Sequence, residues 1–288
     1  MSGPRPPAAE RTAGHEVAAG DQAPVARRRG LGRWRRGLGR WRRAVDVGAA
    51  ALVFVIAWKL VVVLGGYPVF ILPAPEVVAA RFVSAWADGT MEPHAAQTLV
   101  EVLLGFAGGV TAGLAAGYAL ARSRLAERVL SPYLVAAQAT PILALAPLLA
   151  LWFGSGLLSK VVICALIVFF PVAVATMVGL RNVDRRLLEM ARSFRATHWQ
   201  LLWSLELPAA LPGIMGGMRV GVTLAVVGAI IGEWAGGDRG LGVLINLARG
   251  SLFDIPLLFA TLFTIALLGV VLYVLVVLVE RRLVGTRG

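Results

Sequence analysis

The sequence predicts an all-α membrane protein with six transmembrane helices. Its 288 residues are 58% hydrophobic and only 15% charged, with a mean hydropathy of +0.77. A soluble domain carries about 25% charged residues, so a water-soluble fold is disfavoured. Six apolar stretches are each long enough to cross a bilayer as a helix, which takes about 20 residues. They cover residues 47–64, 98–121, 129–153, 157–180, 214–234 and 257–279.

The distribution of positive charge predicts how these helices are oriented. With the N-terminus in the cytoplasm, 22 of the 28 Lys and Arg residues fall in tails and loops on the cytoplasmic side. Four fall in loops on the outer side: Arg81, Lys160, Arg239 and Arg249. Because cytoplasmic loops are enriched in Lys and Arg, this asymmetry predicts a multi-pass protein with both termini in the cytoplasm.

Residues 1–43 form a basic segment ahead of the six-span domain, which covers 44–285. The segment holds 11 of the 28 Lys and Arg residues, and its Pro, Ala, Gly and Arg content predicts a disordered cytoplasmic tail. The heptapeptide GLGRWRR occurs there twice in tandem, over 30–36 and 37–43. This repeat either anchors the tail to membrane lipid or is a duplication without further role. Nucleic-acid binding is disfavoured directly beside a membrane helix.

Proline and glycine mark the first outer loop and the predicted helix contacts. Pro75 suits the first position of a short surface helix. In the second predicted span, glycines recur every four residues at 105, 109, 113 and 117. The fifth span repeats this spacing at 213, 217 and 221, and again at 228, 232 and 236. Such a ridge lets another helix approach to backbone contact, either as static packing or as a seam that slides during transport.

Residues that carry enzyme chemistry are absent from the sequence or scattered along it. There is no Gly-x-x-x-x-Gly-Lys phosphate loop, and the only lysines are Lys59 and Lys160. The three histidines lie in separate loops, and the single cysteine, Cys164, lies within an apolar stretch. No nucleophile and base occur at a sensible spacing. We therefore expect a protein without enzymatic activity, cofactor or metal.

The cytoplasmic loop at 181–213 is much longer than the other cytoplasmic loop and has a helical pattern of its own. Apolar side chains recur along one face from Met190 to Leu205, and charged side chains lie on another. This predicts an amphipathic helix that either rests on lipid or occupies a groove of a partner protein. The spacing alone leaves both alternatives open.

The same loop resembles the EAA loop of ABC importer permeases, which favours the partner protein. The family pattern is Glu-Ala-Ala, three residues, Gly, nine residues, Ile, one residue and Leu-Pro. The matching positions here are Glu189, Met190, Ala191, Arg195, Leu205, Leu207 and Pro208. Met190 replaces an Ala and Arg195 stands at the usual Gly. Because arginine tolerates positive φ poorly, we expect the turn at Arg195 to be built differently or to continue as helix.

Further motifs within residues 60–285 are similar to the nitrate, sulfonate and taurine branch of these permeases. They are LPAP at 72–75, PLLALWFG at 147–154, FP at 170–171, GLR at 179–181, GEW at 232–234 and GLG at 240–242. The same branch includes permeases for pyrimidines and for thiamine or riboflavin precursors. The segment TPILALAP at 140–147 leans toward that second group.

The resemblance implies the transmembrane domain of a type I (MetI-like) ABC importer in the bacterial inner membrane. Its implied partners are a second permease chain, normally an identical one, two ATPase subunits that bind ATP, and an extracytoplasmic solute-binding protein. The segment 189–203 would sit in a groove of the ATPase. The residues implied in coupling are Glu189, Ala191, Arg192, Arg195, Leu205, Leu207 and Pro208. An ATP-independent transporter or channel is the alternative, but the inverted repeats typical of secondary transporters are not visible.

Polar groups within the predicted spans are candidates for the solute path. Glu101 and Glu233 lie toward the outer side, where Lys59 is the expected counter-ion of either acid. Such charges either pair structurally or line a wet path. Gln138 and Thr140 fall near mid-depth beside Pro141, which frees a backbone carbonyl. A freed carbonyl at that depth must face protein or water, so the candidate path residues are Glu101, Gln138, Thr140 and Glu233.

Overall fold

The computed structural model describes the chain over residues 31–285, with side chains from residue 45 onward except at 131, 135 and 139. Residues 1–30 of the predicted tail lie outside this range. The first helix begins at Leu31, so its first 13 residues belong to the segment for which we predicted disorder. Arg, Leu and Trp are compatible with helix, and a helix already formed by the following apolar span propagates at low cost.

Eleven α-helices and no strand are found in the described range. They are α1 (Leu31–Gly65), α2 (Pro75–Ala87), α3 (Met91–Arg122), α4 (Arg124–Ala139), α5 (Ile142–Phe153), α6 (Leu157–Arg181), α7 (Arg185–Ser193), α8 (His198–Leu201), α9 (Leu207–Ala235), α10 (Leu241–Arg249) and α11 (Ile255–Val284). A short π-helical segment, Leu202–Glu206, joins α8 to α9. The predicted start of the surface helix at Pro75 is confirmed.

Five segments of the described range are long and apolar enough to cross a membrane as single helices. These are Val45–Gly65, Met91–Arg122, Leu157–Arg181, His198–Ala235 and Ile255–Val284. A sixth span results if the bent pair of α4 and α5 crosses as one unit. The all-α membrane class is therefore confirmed, with five or six spans.

The third predicted span, 129–153, is not one continuous helix. The chain is extended at Thr140 (ψ 124°) and at Pro141 (ψ 107°), and the two helices meet at 93°. Proline disfavours the helical conformation of the residue before it, and it cannot donate a backbone hydrogen bond. Our expectation that Pro141 merely frees a carbonyl within a span was therefore too weak, because it ends the helix.

The chain divides into two compact units between Ala57 and Trp58. In the first unit, the apolar side chains of α1 from Val45 to Ala57 are largely exposed, which suits contact with lipid. In the second unit, Trp58 stacks on Phe259 with ring centroids 5.9 Å apart. Its core is built around α3, α6 and α9.

The glycine ridge of α3 lies directly against α6. A Cβ added at Gly109 would lie 2.6 Å from the carbonyl oxygen of Ala165, and one at Gly117 would lie 2.5 Å from that of Ala173. The side chains of α6 that face the ridge also recur every four residues: Cys164, Val168, Val172 and Thr176. The two helices therefore pack at backbone contact, as the four-residue spacing predicts.

A second buried cluster fixes the shorter helices at the end of the bundle where α3 begins. Met91, Leu241, Leu244 and Leu257 are its largest fully buried members and join α3, α10 and α11. Arg81 of α2 donates to Asp254 at 2.7 Å, which ties α2 to the start of α11. We call this the α3-start end of the bundle, and the end that carries Arg122 and Arg181 the arginine end.

Candidate functional site

The helix that carries Glu189 is short and exposed at the arginine end. Asp184 precedes α7, and its side chain accepts a hydrogen bond from the backbone N–H of Arg186 at 2.9 Å. Such a cap satisfies a donor that would otherwise be unpaired at the helix start. Glu189, Arg192 and Met190 are all exposed, and Ala191 is half-buried. The helix thus presents both charge and apolar surface outward.

Arg195 ends α7 in the left-handed conformation, with a φ of 59°. Its N–H donates to the carbonyl of Arg192 at 2.9 Å, and the N–H of Ala196 donates to that of Ala191 at 3.2 Å. These two bonds form a Schellman motif, in which the left-handed position is usually glycine. Of our two expectations, continued helix was wrong: the chain turns here in the left-handed conformation, with arginine bearing the backbone strain.

The predicted single amphipathic helix from Met190 to Leu205 is therefore broken at Arg195. After the turn, Thr197 and Gln200 form a capping box that starts α8. The side chain of Thr197 accepts from the N–H of Gln200, and the side chain of Gln200 accepts from the N–H of Thr197. Because both flanking signals are local, the chain turns and restarts rather than continuing along one axis.

The second half of the loop runs directly into α9. The π-helical segment closes with a bond from the N–H of Leu207 to the carbonyl of Leu202. Pro208 follows in the first turn of α9, where its missing N–H costs little. Leu205, Leu207 and Pro208 are half-buried, so this part of the motif packs against the bundle while Glu189 remains exposed.

An ion pair anchors this segment to α3. The guanidinium of Arg122 donates to both carboxylate oxygens of Glu206, at 3.0 and 2.6 Å. The Glu206 side chain is buried, and that of Arg122 is partly exposed. A two-pronged pair of this kind fixes orientation as well as distance. The pair therefore ties the segment before α9 to the end of α3.

Large apolar side chains remain uncovered along the same loop. Phe194 is 79% exposed and Trp199 is 67% exposed, and Trp199 packs edge-on against Trp203 at 5.5 Å. Leu187 and Met190 extend this exposed surface onto α7. Exposed apolar side chains that accompany charged residues along one loop are typical of a contact with a partner protein or with a membrane surface.

A separate cavity of about 800 Å³ contains the break between α4 and α5. Gln138, Thr140 and Pro141 line it on one side, and Phe170 of α6 and Gly217 of α9 lie opposite. No charged side chain occurs among the described residues that line it. Two of the four candidate path residues therefore face one cavity, and its walls are otherwise apolar.

Glu101 and Glu233, the other two candidate path residues, lie in a buried polar cluster toward the α3-start end. Lys160 is only 4% exposed and lies 3.3 Å from Glu101, whose side chain is fully buried. Lys59, our expected counter-ion, pairs with Glu76 at 2.8 Å instead. The assignment of Lys160 to an outer loop was also wrong, because it lies in the first turn of α6 and is buried.

Glu233 fixes the loop between α9 and α10. Its carboxylate accepts from the hydroxyl of Thr98 and from the backbone N–H of Gly242, both at 2.5 Å. Gly240 has a φ of 136°, and a Cβ there would overlap the Glu233 carboxyl group. The GLG sequence at 240–242 is thus explained by the space that this carboxylate occupies.

Residues 109–285 match the family described as binding-protein-dependent transport system inner membrane component. The chain belongs to this family. The riboflavin transport system permease protein RibX of Chloroflexus aurantiacus is 47% identical over 241 residues, which cover 84% of this chain and 90% of RibX. The formylaminopyrimidine transport permease protein ThiX of Halalkalibacterium halodurans is 33% identical and covers 82% of this chain and 93% of ThiX.

A more distant relative and a solved structure also match this chain. The taurine transport system permease protein TauC of Escherichia coli is 28% identical over 85% of this chain and 90% of TauC. A chain of the inward-facing MetNI methionine ABC transporter superposes with a TM-score of 0.58 and 21% identity, over 66% of this chain and 94% of that chain. This confirms the predicted MetI-like fold and the branch of ABC importer permeases.

Three charged residues of this permease were not identified as site residues from the sequence. Arg122 was counted only among the charges of a cytoplasmic loop, and Glu206 was noted only as a neighbour of the motif residues Leu205 and Leu207. Lys160 was assigned to an outer loop. A lone acid within an apolar segment, as in Leu-Glu-Leu-Pro at 205–208, is the available signal for a buried ion pair. The sequence gives no signal for which cation faces it. No group of metal-binding side chains occurs in the described range.

Proposed function

We propose that this permease forms, with a second identical chain, the import path for a flat heteroaromatic solute of the riboflavin or pyrimidine class. The observation that carries this proposal is the chemistry of the 800 Å³ cavity. Its volume falls within the range of about 300 to 1,000 Å³ that is usual for small-molecule sites. Its lining combines apolar walls with the Gln138 amide and the Thr140 hydroxyl.

The lining distinguishes between the two solute classes of the branch. A sulfonate or nitrate ion that enters an apolar cavity loses its hydration, and it then requires a cationic or multiple hydrogen-bonding partner. The described lining residues include no Arg, Lys or His. A neutral ring system needs only apolar contact on its faces and a few hydrogen bonds at its edge, which Phe170, Gln138 and Thr140 supply.

Sequence similarity supports the riboflavin part of this choice. The relative named for riboflavin is 47% identical to this chain, whereas the one named for formylaminopyrimidine is 33% identical and the taurine permease 28%. Permeases named for aliphatic sulfonates in Escherichia coli and Bacillus subtilis are 36% and 32% identical, so identity favours a riboflavin type of solute but does not separate the pyrimidine relative from the sulfonate relatives. A nitrate, sulfonate or taurine type of solute is the second candidate, because the taurine permease matches over a similar length. Import of such an anion would need a cationic side chain from the second permease chain, because the described lining residues supply none.

We further propose that the loop 181–213 receives the ATPase subunit and that both termini are cytoplasmic. The exposed Glu189, Arg192 and Phe194 would contact the ATPase, and the Arg122–Glu206 pair would carry the movement into α3. ATP is bound by the partner subunit, and this chain binds no cofactor. A solute-binding protein would deliver the solute at the α3-start end.

Uptake by cells provides the test of the solute. Deleting the gene should abolish high-affinity uptake of riboflavin or of an aminopyrimidine and leave taurine uptake unchanged, and the intact gene should restore it. Loss of taurine uptake alone would refute the heteroaromatic assignment.

Matched variants test the cavity. Thr140→Val should raise the concentration for half-maximal uptake about fivefold, because one hydrogen bond contributes about 1 kcal/mol. Thr111→Val is the control, since both hydroxyls are exposed and donate to the carbonyl four residues earlier, at 3.1 and 2.7 Å, but Thr111 is not among the lining residues. Equal effects of the two variants would show that the cavity does not hold the solute.

A further inference from the structure

Arginines surround a second cavity, of about 530 Å³, at the arginine end of the bundle. The end of α3, the start of α4, the end of α6 and the start of α7 enclose it. The cavity is lined by Ala121, Arg122, Arg124, Glu127, Arg128, Arg181 and Arg185. It is distinct from the cavity at Thr140, with which it shares no lining residue.

The positive charge in this basic cavity exceeds the negative charge. Arg122 is paired with Glu206, and Arg181 is paired with Glu127 and also donates to the carbonyl of Leu120 at 2.7 Å. Arg124, Arg128 and Arg185 line the same space, and in the described range none of the three lies within salt-bridge distance of a carboxylate. Five guanidinium groups thus face two carboxylates.

An apolar cavity of about 380 Å³ lies between the same ends of α3 and α6 and the start of α9. Its lining includes Leu114, Tyr118, Leu180, Trp199, Trp203 and Ile214. Arg122 connects the two cavities, because it lines the basic one while its guanidinium lies 4.9 Å from the centre of the Tyr118 ring, which lines the apolar one. Charge and apolar surface are therefore adjacent at the arginine end of the bundle.

We propose that the basic cavity binds the phosphate group of an anionic membrane lipid, whose acyl chains contact the apolar cavity. Arginine is suited to this because its planar donors bind phosphate in pairs and it is weakly hydrated. Basic pockets between transmembrane helices are established sites for anionic headgroups. A free phosphate ion has the same headgroup chemistry but gains nothing from the adjoining apolar cavity, so the lipid is favoured.

The bound lipid would join the loop of α7 to the bundle. Arg185 belongs to α7, whereas Arg124 and Arg128 belong to α4, so one phosphate bridges two elements that lack an ion pair between them. This function is independent of which solute the permease imports.

Thermal unfolding of the purified full-length chain in detergent micelles tests the proposal. Phosphatidylglycerol should raise the unfolding midpoint in a saturable manner, because a ligand that binds only the folded state stabilises it. Phosphatidylcholine with the same acyl chains, and inorganic phosphate, should each have a much smaller effect. An equal effect of phosphatidylcholine would overturn the anionic site, and an equal effect of inorganic phosphate would overturn the lipid as its source.

Variants locate the site. The double variant Arg124→Gln and Arg128→Gln should lower the affinity for phosphatidylglycerol at least tenfold, whereas Arg124→Lys with Arg128→Lys should retain most of it. Arg185→Gln should weaken binding, and its neighbour Arg186→Gln, which is not among the lining residues, should not. Equal losses in Arg185→Gln and Arg186→Gln would overturn the assignment to this cavity.

The competing occupant is an acidic segment of the ATPase. The double variant Arg124→Gln and Arg128→Gln distinguishes the two. If this variant no longer retains the ATPase on purification but keeps its preference for phosphatidylglycerol, the cavity is a protein contact and the proposal is wrong. Retention of the ATPase with loss of the lipid preference supports it.

Discussion

Replacing Arg195 by glycine removes a backbone strain that the structure places at the centre of the coupling loop. The residue has a φ of 59° and holds the turn through the N–H groups of Arg195 and Ala196. The left-handed conformation costs a residue with a Cβ about 1 to 2 kcal/mol, whereas glycine adopts it readily. Glycine also loses about 0.5 to 1 kcal/mol more conformational entropy on folding.

The net stabilisation of the turn in Arg195→Gly is therefore about 0.5 to 1 kcal/mol. Since about 1.4 kcal/mol corresponds to a factor of ten, the turn should open two to five times less often. Hydrogen–deuterium exchange of peptides covering 185–197 measures this directly, provided rates are corrected for the intrinsic effect of glycine. Exchange protection of the Ala196 amide should rise by that factor.

Arg195→Ala is the control for the side chain. Alanine keeps the strain but removes the guanidinium, so it should leave the protection unchanged. If both variants lower protection equally, the Arg195 side chain rather than the backbone determines the stability of the turn, and the strain argument is refuted. If Arg195→Gly alone lowers protection, the turn is not left-handed in the protein.

Three further predictions concern coupling, packing and orientation. Glu189→Lys should reduce both solute-stimulated ATP hydrolysis by the reconstituted importer and retention of the ATPase on purification, because it reverses an exposed charge at the proposed contact. If both values are unchanged, the loop rests on lipid and does not contact the ATPase. Gly109→Ala should lower the thermal unfolding midpoint, since its Cβ would lie 2.6 Å from a backbone oxygen, whereas at Gly108 the nearest atom is 3.8 Å away and Gly108→Ala should be near neutral; equal midpoints would contradict backbone contact between α3 and α6. Cysteine at Glu92 should react with an impermeant thiol reagent from outside, and cysteine at Arg186 only after the membrane is opened; the reverse pattern would invert the proposed topology.

Features that depend on spacing along one helix were predictable. The four-residue spacing of the glycines in α3 predicts which face of the helix contacts its partner, because residues four apart lie on the same face. The match from Glu189 to Pro208 depends on the same kind of local register. The Gly-Glu-Trp and Gly-Leu-Gly segments at 232–242 were identified as motifs, although their shared dependence on the Glu233 carboxylate was not.

Features that depend on which elements meet were not predictable. Lys59 and Lys160 both lie near the predicted outer ends of apolar stretches, and only the packing of α6 against α3 decides that Lys160 reaches Glu101. The prediction for Arg195 failed for a different reason. Conformational preference argues against arginine there, but the two backbone hydrogen bonds of the Schellman motif and the capping box at Thr197 outweigh a strain of about 1 kcal/mol.

The seam between α3 and α6 restricts how this permease changes shape. Both rows repeat every four residues, so each bare position of one helix faces one branched or thiol side chain of the other. A displacement of less than one helical turn would drive Val168 or Val172 into a position where α3 carries a Cβ. Registers that fit both rows therefore lie about 6 Å apart along the helix axes, because four residues rise about 1.5 Å each, and the registers between them are opposed by steric overlap. Movements of less than about 6 Å are therefore not expected along this seam, whereas the extended backbone at Thr140 and Pro141 carries no such register.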